Sequence, residues 1–386
     1  MSDSAKDALE VLHVVGGTSQ EGGVMAFAKT VATNATPGFV HRIWKHRDYQ
    51  PPRDTSNLWA CAGRASETDV SLTGDVLGAM RDLPHLVKWI RHRPHVVLHA
   101  HSRLGTIAAA LAARITGAPL IAHAHATPRH PRLYHQLWRF SHATPVFNSW
   151  RTCRHFGFDP ATATLLPPPI AWPEFPAQAL SVDDHIMRFT VCSAFVRLKN
   201  LHLIAAAFNE ICGSGKKAEL RLYGRSSKPL DEDYQVRIVA EAQENSAVHI
   251  IDWQTDWARR LTAFDVFVHA AMEESFGIVI LEAFARGCHV IVPPGTFLED
   301  LDSSSLRGIT IVDPRNTTTL AKAMQRASNE ARNVSASSLW QTRLRFAEQF
   351  SVRHCQSRLA ELYRQRAQLN SRPCRSEDSQ VVERTK

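Results

Sequence analysis

Two glutamates, Glu274 and Glu282, are separated by seven residues, and a Phe-Gly pair stands close behind the first of them. A helix that begins at this pair would leave the backbone N–H groups around Phe276, Gly277 and Ile278 without intrahelical acceptors, and such groups bind anions. Gly277 also lets a ligand approach the backbone closely, because it has no side chain. Glu282 would lie about two turns into the helix, where a carboxylate can accept hydrogen bonds from both hydroxyls of a ribose-like diol. A phosphate site beside a diol site indicates a nucleotide-sugar.

Apolar stretches on both sides of this segment indicate how it is positioned. Residues 266–268 and 289–292 are typical of buried strands. A strand, a loop, a helix and a second strand in succession direct the helix N-terminus towards a ligand at the strand ends. The alternative is an amphipathic helix whose two glutamates face water, as most charged residues do. The Phe-Gly pair and the flanking strands favour the binding site.

The segment from Glu274 to Gly287 resembles a motif of the retaining nucleotide-sugar glycosyltransferases of the GT-B fold, of the family-four type. That E-x7-E motif reads E-x-F-G, four residues, then E-A-x-A-x-G. This chain has Glu-Ser-Phe-Gly, four residues, then Glu-Ala-Phe-Ala-Arg-Gly. The resemblance implies that a hexose-type sugar moves from a nucleoside-diphosphate sugar to an acceptor hydroxyl, with retention at the anomeric carbon.

The resemblance also assigns roles to the residues of the motif. Glu274 is expected to act at the sugar as a catalytic residue, and Glu282 is expected to hold the donor ribose. The remaining donor contacts are expected from Ser275, Phe276, Gly277 and Ile278. The family needs neither a metal nor a cofactor, and its acceptors are often glycans or glycolipids of the cell surface. We therefore expect a nucleotide-sugar donor, a glycan or glycolipid acceptor, no cofactor and no metal.

The diphosphate of such a donor needs a nearby cation, because negative charge develops on it as it leaves. Lys199 occupies the Lys position of the family's G-R-L-x-x-x-K-N loop, after the apolar strand at 189–192. The Arg position of that loop is Ala194 in this chain. We expect Arg197 to supply the missing charge from a different backbone position.

The first half of the chain resembles the family more weakly. A glycine-rich stretch at 16–23 follows the first apolar strand, and such turns can cradle a phosphate. By the resemblance, Gly22 and Gly23 border the donor phosphates and the acceptor, and His125 touches the sugar near its reacting centre. Ser149, which the family also has, is explained as a helix N-cap without a part in catalysis.

Two His-x-His pairs, at 99–101 and 123–125, support a different function. Alternate residues of a strand face the same side, and such pairs are typical of zinc hydrolases built on an eight-stranded barrel. Histidines 249, 269 and 289 would then be further ligands. The sequence is also compatible with an epimerase or hydrolase of nucleotide-sugars on the same two-domain fold. A degenerate binding protein is a third possibility, which the Ala194 departure suggests.

The order of apolar runs predicts the fold class, which is α/β with two Rossmann-like domains facing across a cleft (GT-B). Strand-like runs alternate with helical stretches, which indicates parallel sheets built from βαβ units. We expect an acceptor-side domain at 1–170 and a donor-binding domain at 180–350, joined by the proline-dense stretch at 166–176. A helix at 352–366 is expected to pack back onto the first domain, and residues 369–386 are expected to be disordered.

Composition bounds the partners and the location. The 386 residues include 45 basic and 37 acidic ones, and this net charge of +8 favours anionic partners. No nucleic-acid-binding pattern is present, so we expect no nucleic acid. The scattered cysteines and the polar first residues favour a cytoplasmic protein. The basic segment at 83–95, which contains Trp89, predicts peripheral contact with the inner face of an anionic membrane.

Overall fold

The structure is a computed structural model. It describes residues 8–15, 22–51, 53–65, 71–170, 186–224, 232–254, 256–300, 308–333 and 348–371. The chain divides into two compact units, Met1–Phe147 with Cys355–Lys386, and Asn148–His354. The proline-dense stretch expected as the linker begins after that division, and its residues 171–176 lie outside the described part.

The first unit is built around a parallel sheet. Its strands are β1 (Leu9–Val14), β2 (Phe39–His46), β3 (Trp59–Gly63), β4 (Val97–Ala100), β5 (Leu120–Ala124) and β6 (Thr144–Phe147). They lie side by side in the order β3-β2-β1-β4-β5-β6. The helices are α1 (Gly23–Thr33), α2 (Leu72–Arg91), α3 (Arg103–Thr116), α4 (Pro131–Phe140) and the C-terminal helix Val352–Ser371, whose residues from Cys355 belong to this unit.

The second unit contains a six-stranded parallel sheet in the order β10-β9-β8-β11-β12-β13. Its strands are β8 (Met187–Cys192), β9 (Ala218–Tyr223), β10 (Val248–Ile251), β11 (Asp265–Val268), β12 (His289–Val292) and β13 (Ile309–Ile311), and a short strand β7 (Thr164–Leu165) precedes them. The helices are α5 (Trp150–His155), α6 (Leu201–Gly213), α7 (Glu232–Gln243), α8 (Ile278–Ala285) and α9 (Thr317–Asn333).

Burial on both faces explains why the central strands read as continuous apolar runs. Every residue of β11 and of β12 is buried, as parallel strands covered by helices on both sides require. Phe267 is fully buried against α8, and Val266 is fully buried on the opposite face. Each such side chain contributes about 1.5–3 kcal/mol of burial free energy, so the strands that carry the functional loops are firmly held.

The C-terminal helix continues to Ser371, beyond the predicted end at residue 366. Residues 369–371, expected at the start of a disordered tail, are therefore its last residues, and 372–386 lie outside the described part. Within the described residues, no helix is both long enough and apolar enough to cross a membrane.

Candidate functional site: a lysine–glutamate pair at the switch point of the second sheet

The order of the second sheet reverses between β8 and β11, which are parallel neighbours. The chain leaves β8 towards Lys199 and leaves β11 towards Glu274. In open α/β sheets, ligands bind at such a reversal, outside the carboxyl ends of the strands. The topology therefore brings these two predicted residues to the same edge of one sheet.

Lys199 and Glu274 form an ion pair at this edge. The Lys199 Nζ atom lies 2.6 Å from Glu274 Oε2, and His269 Nε2 lies 3.3 Å from the same oxygen. Burial alone would raise the pKa of Glu274, but the close contact with His269 and the charge of Lys199 outweigh burial and hold that pKa well below its usual range. Glu274 is therefore a carboxylate at neutral pH, with one cation already in contact.

The loop that carries Lys199 is fastened to the neighbouring strand end. Arg197–Lys199 form a short 3-10 helix, and Asn200 follows in the left-handed conformation with φ 52°. The Asn200 side-chain amide donates a 2.9 Å hydrogen bond to the carbonyl of Ala270, two residues beyond β11. This bond fixes the loop after β8 against the loop after β11, and so keeps Lys199 within reach of Glu274.

Gly277 is the N-cap of helix α8, so the helix starts at the Phe-Gly pair as the sequence predicted. Gly277 has φ 87°, and a Cβ atom there would lie 2.6 Å from Ile280 Cδ1 and 3.2 Å from Glu274 Cγ. Only glycine adopts this conformation readily. No side-chain hydrogen bond among the described residues caps the helix, and helix N–H groups without such a cap can bind an anion.

The aromatic ring of Phe276 anchors the start of this helix. It stacks on Phe297 with 4.2 Å between ring centroids and packs against Phe350. Ile278 is partly buried against the same core. The predicted contact residue Phe276 therefore points its ring inward, and what it offers at the site is backbone.

Glu282 is held by a tryptophan that the sequence did not indicate. Trp257 Nε1 donates a 3.1 Å hydrogen bond to Glu282 Oε2, and the indole packs between Tyr223 and Phe267. Burial raises the pKa of Glu282, and the indole hydrogen bond only partly opposes that rise. Burial and the Glu282 charge together raise the pKa of the Cys192 thiol, which ends β8. Glu282 is thus a poorly solvated carboxylate with acceptor capacity left for hydroxyl donors.

Ser275 is held through its backbone carbonyl by Ser149. The Ser149 hydroxyl donates a 2.8 Å hydrogen bond to that carbonyl. The Ser149 hydroxyl oxygen also accepts a 3.2 Å hydrogen bond from the backbone N–H of Thr152, and so caps α5. Beside it, Arg151 donates to the carbonyl of Gly295 in the loop after β12. Ser149 is therefore an N-cap, as predicted, and also positions the segment between the two glutamates.

Arg197 contacts helix α7 in this structure. Its exposed guanidinium forms an ion pair with Asp233 in the first turn of α7 and lies 5.7 Å from the ring centroid of Tyr234. The structure thus brings Lys199 to the motif and engages Arg197 with α7.

One stretch of the second unit matches a known family model. Residues 187–330 match the family described as glycosyl transferases group 1. The chain carries a glycosyltransferase domain. That domain contains Lys199, Glu274 and Glu282, and the matched range begins at β8 and ends within α9. No curated protein matches the chain significantly.

Solved structures share the fold of this chain over more than nine-tenths of its length. HepE of Anabaena in complex with UDP-glucose is similar at 15% identity over 92% of this chain and 99% of that one, with a TM-score of 0.71. Sucrose-phosphate synthase of Thermosynechococcus elongatus is similar at 17% identity over 92% and 98%, with a TM-score of 0.70. Trehalose 6-phosphate synthase of Burkholderia multivorans is similar at 13% identity over 95% and 100%, with a TM-score of 0.68. The predicted fold class, α/β with two parallel-sheet domains of the GT-B type, is confirmed.

The fold of the described residues differs from the barrel that the zinc-hydrolase hypothesis required. The described strands of the two units form open parallel sheets and not an eight-stranded barrel. Of the later histidines considered as ligands, His269 lies beside Glu274, and His289 hydrogen-bonds Thr310 at 2.8 Å. The His-x-His pairs belong to the first unit and need another explanation.

The predicted residues of the first unit lie at the starts and ends of its elements. Gly22 has φ 107° and precedes α1, and Gly23 is the first residue of that helix. Residues 16–21, the rest of the glycine-rich stretch, lie outside the described part. His125 follows β5, and its Nε2 atom shares a 3.0 Å hydrogen bond with His101 Nδ1. Burial lowers the pKa of His125 to about 3, so its imidazole is neutral at pH 7.

Proposed function

We propose that the protein transfers a hexose-type sugar from a nucleoside-diphosphate sugar to an acceptor hydroxyl, with retention at the anomeric carbon. The observation that carries this proposal is the Lys199–Glu274 pair beside the N-terminus of α8, at the reversal of the second sheet. A cation, free helix amides and a low-pKa carboxylate in one place suit a sugar diphosphate. The group 1 glycosyltransferase match of residues 187–330 supports the same function.

Lys199 and the α8 amides would act on the diphosphate. When the sugar–phosphate bond breaks, negative charge grows on the leaving oxygen, and donors already aimed at that place stabilise the transition state. Lys199 is partly buried with its charge paired to Glu274, so it is held in place before the donor arrives. These residues supply the charge for which other enzymes use a metal ion, and on this basis we propose that the transfer needs no metal or cofactor.

Glu274 would hold the sugar and Glu282 the ribose. Glu274 is ionised and fixed by Lys199 and His269, so it accepts hydrogen bonds from sugar hydroxyls on the face where the anomeric carbon reacts. Glu282 has lost much of its hydration, and two ribose hydroxyls would restore hydrogen bonds to its oxygens. Ser275 and residues 276–278 would contribute backbone contacts, with Arg197 as a second cation once released from Asp233.

The first unit would serve the acceptor side, with His125 at the sugar and Gly22 and Gly23 next to the acceptor. The buried, neutral ring of His125 suits a hydrogen bond to a sugar hydroxyl rather than a charge contact. Glycine at φ 107° before α1 permits close approach to the backbone. A glycan or glycolipid acceptor, of the kind used in cell-surface polysaccharide synthesis, fits such a site.

Helix α2 supports peripheral contact with a membrane, though through different residues than the sequence suggested. Trp89 packs on Trp44 and is covered by Arg93, whose guanidinium carbon lies 3.8 Å from its ring centroid. The exposed apolar side chains of the helix are instead Leu77, 61% exposed, and Met80, 52% exposed. Together with the basic residues near the helix end, they form the pattern of a surface that rests on anionic lipid, and we propose contact at the inner face.

Ligand-dependent thermal stabilisation tests the proposal. A ligand that binds only the folded protein raises the melting temperature by mass action. A panel of nucleotide-sugars should begin with UDP-glucose, the donor bound by HepE in its crystal structure, and stabilisation should be lost in Glu282→Gln. Products formed with glycan and glycolipid acceptors would then be analysed for retained anomeric configuration. Binding without any transfer would support the degenerate binding protein, and a changed nucleotide-sugar without an acceptor product would support the epimerase or hydrolase.

A further inference from the structure

Six histidines cluster on one side of the first sheet. They come from β1, β2, β4 and β5 or from the residues directly after these strands, and they are His13, His41, His99, His101, His123 and His125. His13 and His99 are register partners on β1 and β4, the two strands between which this sheet reverses its order. Rings of these histidines surround Phe27 of α1. The proposed sugar transfer uses only His125 of this cluster.

Three of these histidines each have one ring nitrogen occupied by an outer partner. His99 Nδ1 lies 2.7 Å from the Tyr363 hydroxyl of the C-terminal helix. His13 Nε2 lies 2.7 Å from His41 Nδ1. His101 Nδ1 lies 3.0 Å from His125 Nε2. Each of these contacts uses one ring nitrogen and fixes the orientation of the ring, so the second nitrogen of that ring can contact another group.

Ring nitrogens of these three histidines also lie close to one another. His13, His99 and His101 each offer one ring nitrogen, and these atoms all lie within 4.8 Å of one another. His13 Nδ1 and His101 Nε2 are 2.8 Å apart, while the buried Nε2 atom of His99 has no hydrogen-bond partner within the described residues. Nitrogen ligands at 2.0–2.1 Å around a tetrahedral zinc ion are separated by roughly 3.3 Å. Small ring shifts would therefore convert this arrangement into a three-nitrogen coordination site.

We propose that His13, His99 and His101 bind a divalent transition-metal ion of the zinc type. Imidazole nitrogen suits zinc and its neighbours in the first transition series. Metal-bound histidines usually donate their other N–H to a second group that fixes the tautomer, and His41, Tyr363 and His125 are placed to accept those protons. A water molecule would complete the tetrahedron, as in other three-histidine sites.

The surroundings of the three histidines favour a bound metal ion over a cluster of histidines without one. His13, His99 and His101 are all buried, and an unpartnered buried nitrogen costs about 1–3 kcal/mol. Burial disfavours charge on all three rings, and the neutral imidazole is the form that binds metals. Through Tyr363 the ion would also couple the C-terminal helix to the sheet. The three histidines belong to the first unit and the Lys199–Glu274 pair to the second, and the proposal does not depend on sugar transfer.

Metal titration of the full chain tests this site. After treatment with a chelator and its removal, zinc and cobalt would be titrated, with metal content measured by atomic emission and heat by calorimetry. We expect a single tight equivalent and the visible absorption of four-coordinate cobalt. His99→Gln should abolish both, and Tyr363→Phe should weaken zinc binding about 10- to 100-fold. Circular dichroism would verify that each variant is folded.

Two control variants separate this site from other histidines. His123→Gln, within the same cluster, and His95→Gln, exposed in the first unit, should keep the metal. Loss of binding in His123→Gln with retention in His99→Gln would place the ion on the other trio, His101, His123 and His125, and overturn the assignment. Failure of the folded wild-type chain to hold zinc or cobalt would show that the cluster is a hydrogen-bonded histidine chain only.

Discussion

The amine of Lys199 and the carboxylate of Glu274 are 2.6 Å apart, although 75 residues of sequence separate them. One residue follows β8 and the other follows β11, and these strands are neighbours where the second sheet reverses. The pair balances a partly buried carboxylate with a cation and lies next to the start of α8. Both charges are therefore in place before a ligand binds. Removal of the lysine is expected to act mainly on transfer, whereas removal of the glutamate is expected to change how stability depends on pH.

Lys199→Ala is expected to reduce transfer far more than stability. Loss of one pre-placed donor to a developing charge typically costs about 10²–10³ in kcat, whereas loss of the partner of Glu274 costs about 1–3 kcal/mol of stability and should leave the protein folded. Steady-state kinetics with a nucleotide-sugar and thermal melting would measure the two effects. Lys217→Ala, an exposed lysine of the same unit, is the matched control and should behave as wild type. Near-wild-type transfer by Lys199→Ala would remove this residue from the mechanism.

Glu282→Gln should weaken nucleotide binding and increase the stability of the protein. Loss of hydration disfavours this partly buried carboxylate and raises its pKa, so an amide should raise the free energy of unfolding by on the order of 1 kcal/mol. The same change removes an acceptor for a ribose hydroxyl and should weaken nucleoside-diphosphate binding about tenfold or more. Calorimetric titration and chemical denaturation give both quantities. Unchanged nucleotide affinity would contradict the ribose assignment.

The lowered pKa of Glu274 predicts that the stability of the protein depends on pH in acid. Its folded pKa lies below the ordinary value of 4.5, so its contribution is fully present above that value and is lost as pH falls towards the lowered pKa. Glu274→Gln should therefore destabilise the protein at pH 7, by about 1–3 kcal/mol for a partly buried pair, and the difference from wild type should shrink at about pH 4 and below. Glu273→Gln, the exposed neighbour, should show no such trend. A difference that is constant with pH would refute the ion-pair account.

Gly277→Ala should destabilise the start of α8. A side chain is strained at φ 87°, and its Cβ would collide with Ile280, which costs about 1–3 kcal/mol. Gly213→Ala is the matched control, because Gly213 ends α6 with open space around it and the change should be neutral or stabilising by about 0.5–1 kcal/mol. Denaturant melts of both variants would measure this contrast, and equal effects would show that the positive φ is not required.

The exposed apolar face of α2 predicts lipid binding. Leu77→Ser together with Met80→Ser should reduce co-sedimentation with anionic vesicles several-fold, because each exchange removes apolar area that would enter the interface. Neutral vesicles and raised salt should weaken wild-type binding as well, since the basic residues contribute through charge. Leu133→Ser, which alters an exposed leucine on α4, is the control. Wild-type binding by the double variant would place the membrane contact elsewhere or exclude it.

Strand positions near the donor motif were predictable because the strands are buried on both faces. Residues 266–268 and 289–292 read as continuous apolar runs, and the structure has strands there. Strand β2 was missed, because its histidines, arginine and lysine interrupt the apolar pattern. One of those histidines is His41, which is buried against His13. Hydrogen bonds inside a unit permit burial of polar side chains that a hydropathy pattern assigns to the surface.

The sequence by itself determined the motif, its helix start and the fold class, since these depend on residues close together in the chain or on regular alternation. Gly277, Phe276 and the two glutamates carry that information within nine positions. Only the tertiary structure decided which partners each charge has. Lys199 meets Glu274, Trp257 holds Glu282, and Arg197 turns to Asp233. These contacts depend on the order of the parallel strands in the sheet and on how helices pack against it. Neither can be predicted from a local pattern in the chain.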